Sequence, residues 1–391
     1  MIEREMKPKL IELAGKFPVV YVTGPRQSGK TTLVRDAFPD YGYLSLEDPD
    51  TLSAFKDDPR TFLARYASHA IFDEAQRAPE LLSYLQGLVD ASGEPGQFVL
   101  TGSQNFLLMK DVGQSLAGRV AVLTLPPLSH HELSCAGLEP SSQEEWLFRG
   151  GYPRIFDADI EPADFFPAYV QTYLQRDVRV ELGIRSISDF DRFLRLCAAR
   201  NGALLNVSSL ASDCGIAVRT ARGWLSALEA SNIIYLLQPY HSNTSKRLIK
   251  SPKLYFIDTG LACNLLGFEE ADELALCQEK GALFEAAVIS ELLKRAFARG
   301  REPRLSFWRD SNGNEVDLVI ERGLKPMRAM EIKSSRTYNT KFFGVLDRIA
   351  EPELGLGTQA RAVVYGGDLD LDTEHGRLVS YRDLDTVLQG P

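Results

Sequence analysis

The chain has 391 residues, 44% of them hydrophobic and 25% charged, which excludes a disordered polypeptide and allows two or three domains. A net charge of −9 excludes a protein that coats nucleic acid over its whole surface, while leaving room for a local basic face. No apolar run approaches the roughly 18 residues that a membrane helix needs. The start, Met1-Ile2-Glu3-Arg4-Glu5, is charged and lacks the apolar run of a secretory signal, and the five cysteines form no CxxC pair. A cytoplasmic protein with neither a disulfide framework nor a structural zinc is therefore expected.

Residues 19–23 (Val-Val-Tyr-Val-Thr) read as a buried strand, short and β-branched. They run into Gly24-Pro25-Arg26-Gln27-Ser28-Gly29-Lys30-Thr31, which matches GxxxxGK[ST] at every fixed position, and Thr32 then opens a helix-competent stretch. Strand, loop and helix in this order are the setting in which the pattern cradles phosphate. The glycines let backbone N–H groups converge on phosphate oxygens, and the helix N-terminus adds a favourable dipole. Lys30 is expected to reach the β- and γ-phosphates and Thr31 to ligate Mg²⁺.

Three further segments complete such a site. Ala70-Ile71-Phe72-Asp73-Glu74 is an apolar strand that ends in two carboxylates. Asp73 is expected on the Mg²⁺ side, and Glu74 is the candidate base for the attacking water. A third strand, Phe98 to Thr101, opens onto Gly102-Ser103-Gln104-Asn105. There Ser103 or Gln104, with Thr101 beside them, could sense a γ-phosphate, or Ser103 could simply cap a helix. Arg119 is either a transition-state charge, in cis or in a homo-oligomer, or a surface arginine on a turn. No Asn-Lys-x-Asp stretch of the kind that reads guanine is present, so ATP is the expected nucleotide.

Taken together, Gly24–Thr31, Phe72-Asp73-Glu74-Ala75, Thr101-Gly102-Ser103, Leu116-Ala117-Gly118-Arg119 and Leu125-Pro126-Pro127-Leu128-Ser129 resemble a prokaryotic family of AAA-like ATPases. Gly150-Gly151-Tyr152-Pro153 and Tyr173 to Val178 extend the resemblance over essentially the whole chain. The family carries a C-terminal domain of unassigned function. The resemblance implies an α/β fold in three parts: a P-loop nucleotide-binding domain (1–150), a helical and winged-helix domain (151–267) and a restriction-endonuclease-like domain (281–391).

The residues of the second part have their own logic. Residues 161–200 read as two helices, the first from Pro162 to about Leu182 with Phe166, Tyr169, Val170, Tyr173 and Leu174 on its core side. Ser208 to Ala211, a turn at Cys214-Gly215 and a helix from Ala217 to Ala230 have helix-turn-helix grammar, with Ala221, Trp224, Leu225 and Leu228 inward. Ile233–Tyr240 and Lys253–Ile257 then read as paired strands around a polar loop. Arg200, Arg219, Arg222, Lys246, Arg247, Lys250 and Lys253 face only Asp213 and Glu229 in sequence, so this part is a candidate DNA-binding surface. A winged helix used for protein contacts is the alternative.

Gly267 to Gly281 is acidic and reads as a linker. Beyond it come a helix to about Ala298, strands at 305–308, 315–320 and 328–333, and a helix at 341–349. Alternation along the third strand puts Glu331 and Lys333 on one face, with Asp317 on its neighbour and Glu285 on the leading helix. This order resembles the PD-(D/E)xK nuclease core, with Val316 where proline commonly precedes the aspartate. Carboxylates clustered in this way would take a second Mg²⁺ or Mn²⁺, with Lys333 activating a water. The domain either cleaves DNA or only binds it. The function expected for the chain is an ATPase coupled to DNA binding or processing, the alternative being an ATP-regulated protein-interaction or transcriptional switch.

Overall fold

A computed structural model describes the chain except for Ala67, residues 103–115, 173–185 and 241–250, Pro303, Leu324 and residues 389–391. The N-terminal part is built on a parallel sheet of β1 (Val19–Thr23), β2 (Gly42–Ser45), β3 (Ala70–Asp73), β4 (Phe98–Gly102) and β5 (Val120–Thr124), in the order β2-β3-β4-β1-β5. All five residues of β1 are buried, because β4 and β5 flank it in parallel register and both sheet faces are covered. Val19 and Tyr21 enter one apolar cluster, and Val20 and Val22 enter the other, together with helices α1 (Lys7–Ala14) and α2 (Lys30–Ala37). The period of two along the strand thus fills both layers.

The middle of the chain is helical. Pro162–Tyr169 forms a helix whose last turn widens through Thr172, and the remainder of the stretch expected to reach Leu182 lies outside the described residues. Tyr173 and Leu174 lie outside the described residues. A short helix, α3 (Pro153–Asp157), precedes it. Helix α4 (Val207–Cys214) is capped by the Asn206 side chain, which accepts from Ser209 N at 3.0 Å, and ends on left-handed Gly215. Helix α5 (Val218–Ala230) buries Ala221, Trp224, Leu225 and Leu228, the expected four. Strands β6 (Ile234–Pro239) and β7 (Lys253–Phe256) pair antiparallel.

The hairpin makes strand contacts across the expected division near residue 267. β6 also pairs in parallel with β8 (Leu305–Arg309), through Gln238↔Ser306 and Pro239↔Phe307. It thereby joins a sheet containing β9 (Glu315–Arg322), β10 (Lys325–Lys333), β11 (Arg361–Tyr365), β12 (Leu371–Thr373) and β13 (Gly376–Ser380), in the order β12-β13-β11-β10-β9-β8-β6-β7. One apolar cluster runs from Trp146 to Val387 without a break at the expected junction. The acidic stretch is also no free linker: Ala271–Ala275 forms a 3₁₀ turn with Leu274 fully buried. Before it, α6 (Thr259–Leu266) has already returned the chain to the core, and after it α7 (Lys280–Ala298) runs through that core with buried residues on most of its faces. Helix α8 (Gly344–Leu354) covers the far side of the C-terminal sheet, and no helix among the described residues is long and apolar enough to cross a membrane.

Candidate functional site

The chain leaves β1 through Gly24 at φ 146°, and a Cβ there would run into the Leu125 carbonyl oxygen, so only glycine lets the loop pass this close to the strand beside it. Gly29 at φ 92° then starts α2. Lys30 is buried, and its ammonium donates to Gly24 O at 3.1 Å and Pro25 O at 2.9 Å. Burial pulls its pKa down to about 8, against the opposing charges of Glu74 and Asp73.

Asp73, at the end of β3, accepts from three hydroxyls. Thr31 Oγ1 reaches both carboxylate oxygens, at 3.1 and 2.9 Å, Tyr43 OH reaches Oδ2 at 2.7 Å, and Thr101 Oγ1 completes the set. The two residues expected at Mg²⁺ are therefore brought together. Glu74 leaves the strand in a left-handed conformation (φ 57°, ψ 46°), uncommon for a non-glycine residue, and Gln76 Nε2 holds its carboxylate. Gln27, Gly29, Lys30, Thr31, Thr32 and Glu74 line one cleft of about 360 Å³.

One expected residue falls elsewhere and two cannot be placed at the site. Ser103 and Gln104 lie outside the described residues, whereas Thr101 bonds Asp73. Arg119 is at the wrong end of the sheet. Its carbonyl accepts from Val19 N at the start of β1, whereas the phosphate loop follows the end of β1, and its guanidinium pairs with Asp90, with Nη2 at 3.0 Å. Strand direction thus removes any role in cis. The cleft instead contains Arg154 on α3, which is exposed and whose guanidinium has no hydrogen bond or ion pair among the described residues. Arg26, another loop residue, pairs with Glu47.

The basic surface also changes. Arg219 and Arg222 stand exposed on α5, but Arg200 pairs with Asp213, and Lys246, Arg247 and Lys250 lie outside the described residues. Lys253 is buried under the hairpin, with its ammonium 3.0 Å from Glu285 Oε1 and in contact with Glu315, so it is no surface cation.

That ion pair belongs to the C-terminal constellation. Lys333 Nζ donates to Glu331 Oε2 at 2.5 Å and Asp317 Oδ2 at 3.3 Å, and Ile332 N donates to Asp317 Oδ2 at 2.8 Å. Burial, helped by the Asp317 charge, pushes Glu331 up to about 8 and Glu285 up to about 7, with Lys333 and Lys253 respectively opposing. Asp317, Glu331 and Lys333 meet as expected. Glu285 is held by Lys253 and Tyr255 rather than facing an open coordination position. Among the described residues no group of three or more carboxylate, histidine or cysteine side chains is arranged to hold a metal ion. The expected second metal centre is thus seen as a lattice of alternating lysines and carboxylates. Glu315, a member of it, gave no local signal in sequence, and nor did Arg154.

Comparison with known proteins divides the chain into three segments. Residues 16–134 match a family described as an AAA domain, residues 141–272 match a domain of unknown function (DUF8612), and residues 280–384 match a domain of unknown function (DUF4143). An uncharacterized protein of Mycobacterium tuberculosis, Rv2008c, is 32% identical over 338 residues, covering 85% of this chain and 74% of its own length. An uncharacterized protein of Methanocaldococcus jannaschii, MJ1544, is 23% identical over 351 residues, covering 82% and 75%. Among solved structures, a Walker-type ATPase of Pyrococcus abyssi is similar at 16% identity and a TM-score of 0.43, covering 68% of this chain and 96% of that one. The chain belongs to the family of the mycobacterial protein, one in which a P-loop AAA-type ATPase domain precedes a C-terminal domain of unassigned function.

Proposed function

We propose that the protein is a Mg²⁺-dependent ATPase whose nucleotide state is coupled to DNA binding by the segment that follows. The observation that carries this reading is the convergence of Lys30, Thr31 and Glu74 on one cleft behind a glycine-shaped loop, with Asp73 hydrogen-bonded to Thr31. The residues fit the ligand, because the Lys30 ammonium rests on two carbonyl oxygens and the Asp73 carboxylate on three hydroxyls. Bound Mg²⁺ would neutralise charge on the β- and γ-phosphates, with Thr31 and Asp73 as the residues that hold it. Lys30 carries the phosphates, Glu74 takes the proton of the attacking water, and Arg154 offers the charge that Arg119 cannot deliver in cis.

Helices α4 and α5 with the β6–β7 hairpin are read as a winged helix, and the exposed pair Arg219 and Arg222, three residues apart on α5, as its phosphate contacts. The sheet around β8 to β11 is read as a restriction-endonuclease-like core that grips DNA. A second reading, metal-dependent cleavage, is favoured by the meeting of Asp317, Glu331 and Lys333. Purified protein is expected to hydrolyse ATP with Mg²⁺, and Lys30→Ala to abolish it; hydrolysis that survives the substitution sinks the site. Arg219→Glu with Arg222→Glu should weaken DNA binding and flatten its salt dependence. Incubation of DNA with Mg²⁺ or Mn²⁺, compared with Asp317→Ala, separates gripping from cleavage.

A further inference from the structure

Arg4 is buried although it precedes the first helix: its side chain is 8% exposed. Its guanidinium donates from all three nitrogens. Nε reaches Glu132 Oε1 at 2.9 Å, Nη1 reaches Ser28 O at 2.7 Å and Nη2 reaches Pro126 O at 2.8 Å. Ser28 is the phosphate-loop residue before Gly29, and Arg4 Nη1 lies 3.5 Å from where a Cβ on Gly29 would stand. The loop is therefore tied at Ser28 by a fixed fork that itself lines the cleft, which a lysine's single point charge cannot reproduce.

The far end of this tie is held by the C-terminal half. Glu132 is itself fixed by its capping box with Ser129, its Oε2 accepting from Ser129 N at 2.9 Å. Next to it, His130 N donates to Glu291 Oε2 on α7 at 2.8 Å, across 161 residues of chain. Lys294 Nζ, one turn further along α7, donates to Glu291 Oε1 at 3.1 Å and to Leu128 O at 2.9 Å. Glu291 is 2% exposed, so this bond is not shared with solvent. Leu128 lines the nucleotide cleft. Two buried side chains of α7 thus fix the strap from Leu128 to Glu132, and the strap fixes Arg4. Buried charged hydrogen bonds of this kind hold geometry because releasing one leaves an unpaired charge.

We propose that Arg4 is a positioning residue of the nucleotide site, holding the phosphate loop through Ser28, and that Glu291 of α7 sets its position, so that the C-terminal half tunes nucleotide affinity. This rests on the phosphate loop binding nucleotide. A loop that cradles ground state and transition state alike should act on KM more than on kcat.

The test is binding of a fluorescent ATP analogue with Mg²⁺ to the full chain, beside steady-state hydrolysis. Arg4→Gln is expected to weaken affinity about tenfold, Arg4→Lys to recover part of that loss, and Glu291→Gln to weaken it about threefold, with kcat at saturation within about twofold. Phe193→Leu, a truncation in the helical core, lowers the melting temperature without the affinity change and so controls for lost stability. Should Arg4→Gln not fold, Arg4→Lys and Glu291→Gln decide the matter. Wild-type affinity in the folded Arg4 and Glu291 variants, or a loss matched by Phe193→Leu, overturns the proposal alone. A wild-type protein that binds no nucleotide overturns the nucleotide reading and this one with it.

Discussion

The phosphate-loop cleft and the C-terminal constellation contain the same ingredients, lysine and carboxylate, in opposite arrangements. In the cleft, Lys30 rests on carbonyls of Gly24 and Pro25, and Asp73 accepts from the hydroxyls of Thr31, Tyr43 and Thr101. Around β9 and β10, Lys333 sits against Asp317 and Glu331, and Lys253 against Glu285 and Glu315. A polyphosphate with its cation can replace neutral partners without stripping any charge of its counter-charge. A cation entering the second cluster meets carboxylates already paired with ammonium groups, and burial pushes Glu285 and Glu331 up, which disfavours the ionised form that a cation needs. Residue types alone therefore do not make a metal site; what each charge already holds decides whether a guest can enter.

Four experiments would break or sharpen this contrast. The largest effect is expected from Glu74→Gln, which should lower kcat at least about a hundredfold while ATP still binds, read by hydrolysis and by nucleotide titration. A fall in affinity instead would make Glu74 a binding group. Next, Lys253→Met should cost roughly 3 kcal/mol of stability by leaving the buried Glu285 without its counter-charge, whereas Glu315 keeps Arg309, measured by denaturant unfolding. A neutral result would mean that Glu285 takes up a proton at no cost. The third is a pH profile. Lys30 ionises near 8 in the free protein, so above that value binding must take up a proton, and ATP affinity should fall up to about tenfold per pH unit. Affinity should be level with pH below 8, and Lys30→Arg should remove the slope. The smallest effect belongs to Arg119→Ala, expected to change hydrolysis by less than about twofold in the monomeric protein, since its partner is Asp90. A large loss there would point to a neighbouring subunit's site.

Legibility in the sequence followed the distance over which each feature is specified. Gly24 to Thr31 is contiguous, and Asp73-Glu74 closes an apolar strand, so both were readable without a partner. The inward face of α5 was readable because Ala221, Trp224, Leu225 and Leu228 keep helical spacing. Arg119 misled because which end of β5 meets the loop depends on all five strands being parallel, a property of the assembled sheet. Lys253 misled for a related reason. It sits in a basic run, yet the pairing of β6 with β8 turns it inward towards carboxylates more than 30 residues away. Arg4 carries no pattern at all, and its meaning comes from Ser28, Pro126 and Glu132.

The hairpin bears on how such a chain can be cut or exchanged. A fragment starting at residue 281 would lose β6 and β7, baring the backbone donors and acceptors of β8 as an open edge that invites self-association. It would also carry Glu285 and Glu315 without Lys253. Recombination that grafts the C-terminal sheet onto another ATPase should therefore succeed only when the hairpin travels with it, and the smallest transferable piece begins before Ile234 rather than at the acidic stretch.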